Sequence, residues 1–152
     1  MVTVRPLHPS DRKAVLEVAR ALALWFRPLD QMALVIDLMR HEGFVAEEGE
    51  QVVGFVTFHQ PTPDQAQLSW LGVRPEWHGQ GVGSRLLGAV ERALRQRGVR
   101  FLRVMTVDEQ VPEPAFALTR HFYERHRFRA VGREPDAFGQ GRHGVVLEKT
   151  LV

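Results

Sequence analysis

Residues 74–94 read RPEWHGQGVGSRLLGAVERAL, with glycine at alternate positions, Gly79, Gly81 and Gly83. An apolar stripe at helical spacing follows at once: Leu86, Leu87, Val90, Ala93 and Leu94. The residues before the glycines, ending at Val73, read as a strand, and Gly98 is a natural helix stop. The chain must therefore pass from strand through a bared backbone into a long helix. A helix start carries unpaired N–H groups and a partial positive charge. Glycine lets the backbone adopt positive φ and approach a ligand closely. The stretch is thus either a tight turn or a phosphate cradle. The dinucleotide spacing G-x-G-x-x-G fails, because its third glycine would fall on Leu86 or on Ser84. The Walker spacing fails as well, because no Gly-Lys pair precedes a Ser or Thr.

The flanking sequence sets this unit in a mixed α/β chain. VTVRPL alternates and predicts a first strand. HPSDRKAVLEVARALALWF predicts a helix capped by Ser10 or Asp11, with Val15, Val18, Ala19 and Leu22 on one face. Pro28 breaks it, and DQMALVIDLMRH predicts a second, shorter helix. GFVAEEGEQVVGFVTFHQ reads as a hairpin turning at Gly49, and QAQLSWLGV as the next strand. After the glycine helix come a strand, VRFLRVMTV, and a helix opened by Pro112 or Pro114. FRAVGRE and GVVLEKTLV close the chain as strands. The order β-α-α-β-β-β-α-β-α-β-β implies one sheet, with the strands around the glycine helix parallel.

Composition narrows the function. A chain of 152 residues, 44% apolar and 25% charged, is expected to form one domain, residues 1–152. No apolar run approaches the ~20 residues of a membrane span, and the N-terminus lacks a signal-peptide pattern. There is no cysteine, so disulfides, thiolate metal sites and a cysteine nucleophile are excluded. A cytoplasmic setting fits, and no metal site is expected. The net charge is only +2, and Lys13 and Lys149 are the only lysines. That balance argues against a dedicated nucleic-acid binder. Arg85, Arg92, Arg95 and Arg97 are expected on the solvated side of the glycine helix.

WLGVRPEWHGQGVGSRLL resembles the acyl-CoA-binding segment of the GNAT superfamily of N-acetyltransferases. That segment carries Arg or Gln, two residues, Gly, one residue, then Gly or Ala. Gly81 and Gly83 match, and His78 stands where Arg or Gln is usual. HEGFVAEEGEQVVGFVTF resembles the family's central hairpin, and LTRHFYERHRF its later helix, commonly Phe-Tyr-Glu-x-x-Gly-Phe. Phe122, Tyr123, Glu124 and Phe128 match, while Arg127 replaces the glycine.

The resemblance implies a GNAT-type fold: a mixed, mostly antiparallel sheet with helices on both faces. It implies acetyl transfer from acetyl-CoA to a primary amine of a small-molecule or peptide acceptor, directly in a ternary complex. Leu71, Gly72 and Val73 would pair with the pantetheine arm, with the Leu71 N–H as oxyanion donor. His78, Gly79, Gln80, Gly81, Val82, Gly83 and Ser84 would surround the pyrophosphate. Tyr123 would protonate the departing sulfur. The amine must lose a proton before attack, because an alkylammonium of pKa ~10.4 has no lone pair. His59 and Glu109 are the candidate bases, with Asp64 and Asp108 weighed beside them. Trp25 and Phe26 either roof the acceptor site or close the core. Arg120 or Arg125 would meet the 3′-phosphate or form surface ion pairs. Dimers are common in the resembling family, so a homodimer is compatible. The rival readings are a non-catalytic acyl-CoA-binding module and an arginine-rich nucleic-acid or protein interaction domain.

Overall fold

The computed structural model describes residues 1–108 and 113–152. Its elements are β1 (Val2–Pro6), α1 (Arg12–Arg20), α2 (Pro28–Arg40), β2 (Glu42–Glu48), β3 (Gln51–His59), β4 (Gln65–Val73), α3 (Val82–Gln96), β5 (Phe101–Val107), α4 (Pro114–Arg125), β6 (Arg129–Glu134) and β7 (Gly144–Thr150). The element order is the one read from the sequence. The seven strands form one sheet in the order β1-β2-β3-β4-β5-β7-β6. Every neighbouring pair is antiparallel except β4 and β5, the strands that flank α3.

Each face of the sheet has its own core. On one face Val15, Val18 and Ala19 of α1 and Leu34 and Leu38 of α2 pack on Val45, Val52 and Phe55. On the other, Leu86, Leu87, Val90 and Leu94 of α3 pack on Val53, Val56 and Phe58, beside Tyr123 of α4. β3 is buried on both faces, which is why it reads as a near-continuous apolar run. Of the two N-cap candidates, Asp11 precedes α1. Its carboxylate accepts the His8 N–H at 2.8 Å and both terminal Arg5 nitrogens at 2.9 Å.

Three register shifts escape the alternation pattern, one of them leaving Val131 extra between β6 and β7 and the other two bordering β3. Ala46 pairs with Gly54 and Glu47 with Val52, so Val53 is an extra residue and sits in the α3-side core. In β4, Thr57 pairs with Trp70 and Phe58 with Leu68, leaving Ser69 extra. The Ser69 hydroxyl lies 2.8 Å from the Thr57 hydroxyl and 2.9 Å from His41 Nδ1. Next to it the Trp70 indole N–H donates to Asp37 at 2.7 Å, pinning α2 to the sheet.

α3 ends as Gly98 predicts, with φ +76° just past its last turn. The Gly98 N–H donates to Arg95 O and the Val99 N–H to Leu94 O, each at 3.0 Å. The four arginines along and just after α3 are exposed, as expected. Arg85 donates to Val2 O, Arg95 to Leu151 O and Arg97 to Glu42, so three of the four tie the helix to the sheet rim. The long arginine stem covers apolar surface and still delivers its head to the strands. On the same helix Glu91 is buried and accepts Lys149 Nζ at 2.9 and 3.0 Å.

Candidate active site

The site begins where β4 and β5 part. They pair only from Gln65↔Phe101 to Gln67↔Arg103, although β4 runs on to Val73 and β5 to Val107. β5 stays bonded to β7 along its length, and β4 stays bonded to β3. The two facing edges therefore open into a wedge. The Arg74 N–H donates to Val53 O at 2.8 Å, so Gly72 and Arg74 turn their backbone groups towards β3. The alternation leaves the N–H and C=O of Leu71 and Val73 facing the open side.

A cleft of about 690 Å³ occupies the wedge and continues over the glycine loop. Leu71, Gly72 and Val73 line it from β4, and His78, Gly79, Gly81, Val82, Gly83 and Ser84 from the loop and the start of α3. Phe122, Tyr123 and His126 close it from α4, and Leu22, Trp25 and Phe26 from the α1–α2 connection. The structure thus gathers the β4, glycine-loop and Tyr123 candidates around one space; Gln80 sits in the loop with its side chain donating to Glu76 O.

The three glycines serve different ends. Gly79 and Gly81 have φ of +75° and +81°, the left-handed region that disfavours a side chain. Gly81 is the N-cap of α3, and no side chain caps that helix start. The first-turn N–H groups of α3 are left for a ligand. Gly83 is needed for space, because a Cβ there would lie 3.1 Å from Phe122 Cε1. It lets α4, and with it Tyr123, come up against the loop.

His78 departs from its expected direction. Its Nε2–H donates inward to the Val73 carbonyl at 2.6 Å, and its ring meets Trp25 edge-on at 5.7 Å. That bond commits the Nε2 donor of His78 to the strand. Tyr123 is buried between Phe122 and Phe128, with ring centroids at 5.2 and 5.3 Å, both edge-on. Burial raises its phenol well above the ordinary tyrosine value, so it stays a neutral donor. His126, one helical turn on, bonds Ser84 Oγ at 2.9 Å and Phe122 O at 2.7 Å, tying α4 to the glycine loop. Sequence reasoning missed His126, although its spacing from Tyr123 puts both on one helix face.

The base candidates are not brought to this cleft. His59 pairs with Gln67, at the closed end of the wedge, and stacks on His41 with centroids 4.4 Å apart. Its pKa is lowered, first by burial and then by His41. Asp64 is exposed in the loop before β4, and Asp108 is buried beyond β5 with Arg133 Nη2 at 2.6 Å. Glu109 lies outside the described residues. Among the described residues the titratable side chains that line the cleft are His78, Tyr123, Arg125 and His126. Arg120 is used elsewhere, donating to Val107 O at 3.1 Å, whereas Arg125 lines the cleft. Trp25 and Phe26 both line the cleft. Phe26 is buried in the α1–α2 core, while Trp25 stays partly exposed and donates to Ala115 O at 3.0 Å.

A sheet opened between two parallel strands, with a glycine-started helix beneath the opening, is the architecture of an acyl-CoA-dependent acyltransferase. The chain belongs to the acetyltransferase (GNAT) family, whose profile matches residues 12–128, and its members take their acetyl group from acetyl-CoA. No curated protein matches its sequence. Among solved structures, a GNAT-family protein from Desulfovibrio desulfuricans superposes at a TM-score of 0.88 and 22% identity, over 100% of both chains. The ribosomal-protein-S18-alanine N-acetyltransferase from Escherichia coli gives 0.79 at 16% identity, over 99% of this chain and 94% of that one. An aminoglycoside 6′-N-acetyltransferase complexed with coenzyme A gives 0.79 at 17% identity, over 99% and 97%. At these identities the likeness is one of fold. Among the described residues no helix is long and apolar enough to cross a membrane.

Proposed function

We propose that this protein moves an acetyl group from acetyl-CoA directly to a primary amine, with donor and acceptor held together in the wedge between β4 and β5. The observation that carries the reading is the convergence on one cleft of the unpaired β4 edge, an uncapped helix start and a buried tyrosine. The residues suit an acyl-CoA. An amide-bearing arm needs strand-like partners, which the N–H and C=O of Leu71 and the N–H of Val73 offer, the Val73 C=O being engaged by His78. A pyrophosphate needs convergent N–H groups, which the loop from Gly79 to Ser84 offers. The chain has no cysteine to carry an acetyl group, which favours direct transfer.

In this reading the Leu71 N–H faces the oxygen that gains negative charge during attack. A fixed backbone donor in a water-poor cleft stabilises that charge without reorganising. Tyr123 donates its phenolic hydrogen towards the departing sulfur. Burial suits this role, because it favours the protonated, neutral phenol. No carboxylate lines the cleft among the described residues, and the two imidazoles there, His78 and His126, are both hydrogen-bonded within the chain; in this reading the amine's proton leaves through water, with Glu109 the carboxylate candidate for taking it up. Leu22 and Trp25 give the acceptor an apolar wall.

The acceptor is a primary amine, of a small molecule or of a peptide. The neighbours named for a protein alanine and for an aminoglycoside superpose equally well, each at a TM-score of 0.79. The test is acetyl-CoA-dependent thiol release across a panel of small amines and peptide N-termini. Turnover with one acceptor class is expected, and Tyr123→Phe should lower kcat about 10²-fold or more while coenzyme A still raises the melting temperature. Tight coenzyme A binding with no transfer to any amine would overturn the catalytic reading. No thermal shift at saturating coenzyme A would overturn the binding site itself.

A further inference from the structure

α2 is apolar on two opposite faces. Leu34 and Leu38 turn inward, as a helix on a sheet requires. On the outside Leu29 is 78% exposed, Met32 65%, Ile36 54% and Met39 66%. These four are spaced three, four and three residues apart, the a/d seam of a heptad rather than a scatter. Val35 flanks the seam and is also exposed. A helix that is apolar all round is expected to be covered on both sides.

We infer that the outer face of α2 is the seam of a two-fold dimer, in which the α2 helices of two copies pack antiparallel. The spacing is self-complementary in that arrangement. Leu29 of each copy meets Met39 of the other, and Met32 meets Ile36, so every layer joins an a position to a d position. The charges complement each other in the same register. Asp30 stands in the first turn of α2 and Arg40 in its last. Both lie on the same flank of the seam, so antiparallel packing lays each Arg40 along the partner copy's Asp30. Asp30 accepts the Arg27 N–H at 2.9 Å through Oδ2, with no further bond among the described residues, and Arg40 is exposed at the helix end. A parallel pair would set like charges side by side. Four large apolar side chains, each more than half exposed, lie in one row along the helix, the kind of contiguous patch that marks a protein–protein contact. The inference does not depend on the catalytic reading.

The test is sedimentation velocity from low micromolar to a few hundred micromolar protein, with circular dichroism melts to verify folding. The wild type should approach twice the chain mass as concentration rises. Ile36→Glu should weaken association at least 10-fold and leave the fold intact, because the position is already exposed. Arg40→Glu and Asp30→Lys should each weaken self-association. An equimolar mixture of those two variants should associate more strongly than either alone, since only the mixed pair restores both opposite-charge contacts. A wild type that stays monomeric throughout, an Ile36→Glu protein that still dimerises, or a mixture no tighter than its components would each overturn the antiparallel seam.

Discussion

Gly81 and Arg127 hold nearly the same backbone conformation, with φ of +81° and +69°, at opposite ends of one functional surface. Gly81 opens α3 beneath the cleft, and Arg127 ends α4 just beyond Tyr123. At Arg127 the turn is closed by local bonds: its N–H donates to Glu124 O at 3.0 Å and the Phe128 N–H to Tyr123 O at 3.1 Å. Its side chain is exposed, so nothing but backbone sterics opposes it. A left-handed non-glycine residue costs about 1–2 kcal/mol. The chain tolerates that cost at a turn whose only task is to end a helix. It keeps glycine at the loop, where space is also open but faces the cleft. Similar positive φ angles therefore carry different constraints, set by what approaches the backbone.

Gly83→Val should have the largest effect on this contrast. Its Cβ would press on Phe122, and overpacking of this kind costs about 1–3 kcal/mol. Urea unfolding should register that loss together with a weaker thermal shift by coenzyme A, since Phe122 adjoins Tyr123. Gly81→Ala follows, losing about 1–2 kcal/mol from its torsion alone. Its coenzyme A response should fall too, and an unaltered response would show that the loop backbone is not the cradle. Arg127→Gly should go the other way, gaining about 1 kcal/mol with coenzyme A binding unchanged. A loss on Arg127→Gly would mean the arginine does more than complete a turn.

His59 supplies the smallest effect and a reference outside both regions. Its pKa is lowered in the folded chain, so the unfolded chain takes up the proton first. The stability this contributes is present above the unfolded value of ~6.5 and is lost as pH falls through the lower folded value. His59→Gln should flatten that acid-side decline in a pH series of unfolding curves. It should leave the pH dependence of acetyl transfer as it was, because the ring lies outside the cleft. A changed rate profile would return His59 to the list of bases.

Much of this was legible in the chain because it is local. The stripe at Val15, Val18, Ala19 and Leu22, the Gly49 turn and the Gly98 stop each act within a few residues. The element order and the parallel β4–β5 pair follow from them. What stayed hidden depends on pairing across the sheet. The extra residues at Val53 and Ser69 exist only relative to β2 and β3, and no alternation in one strand reveals them. The inward turn of His78 depends on where the Val73 carbonyl points, which β3 decides. His59 looked suitable because imidazole titrates near neutrality, but its register opposite Gln67 carries it to the closed end of the wedge. The outer stripe of α2 was readable as apolar, yet which of its two faces met the sheet was not.

The buried contact between Glu91 and Lys149 has a practical consequence for an enzyme whose chemistry concerns amines. The chain has two lysines, and one of these ε-amines is held by both oxygens of a carboxylate under α3. Lys13 alone offers an exposed side-chain amine. Few amines of the protein itself compete with an added acceptor: the exposed ones are that of Lys13 and the Met1 α-amine, which pairs with Glu48 at 2.8 Å.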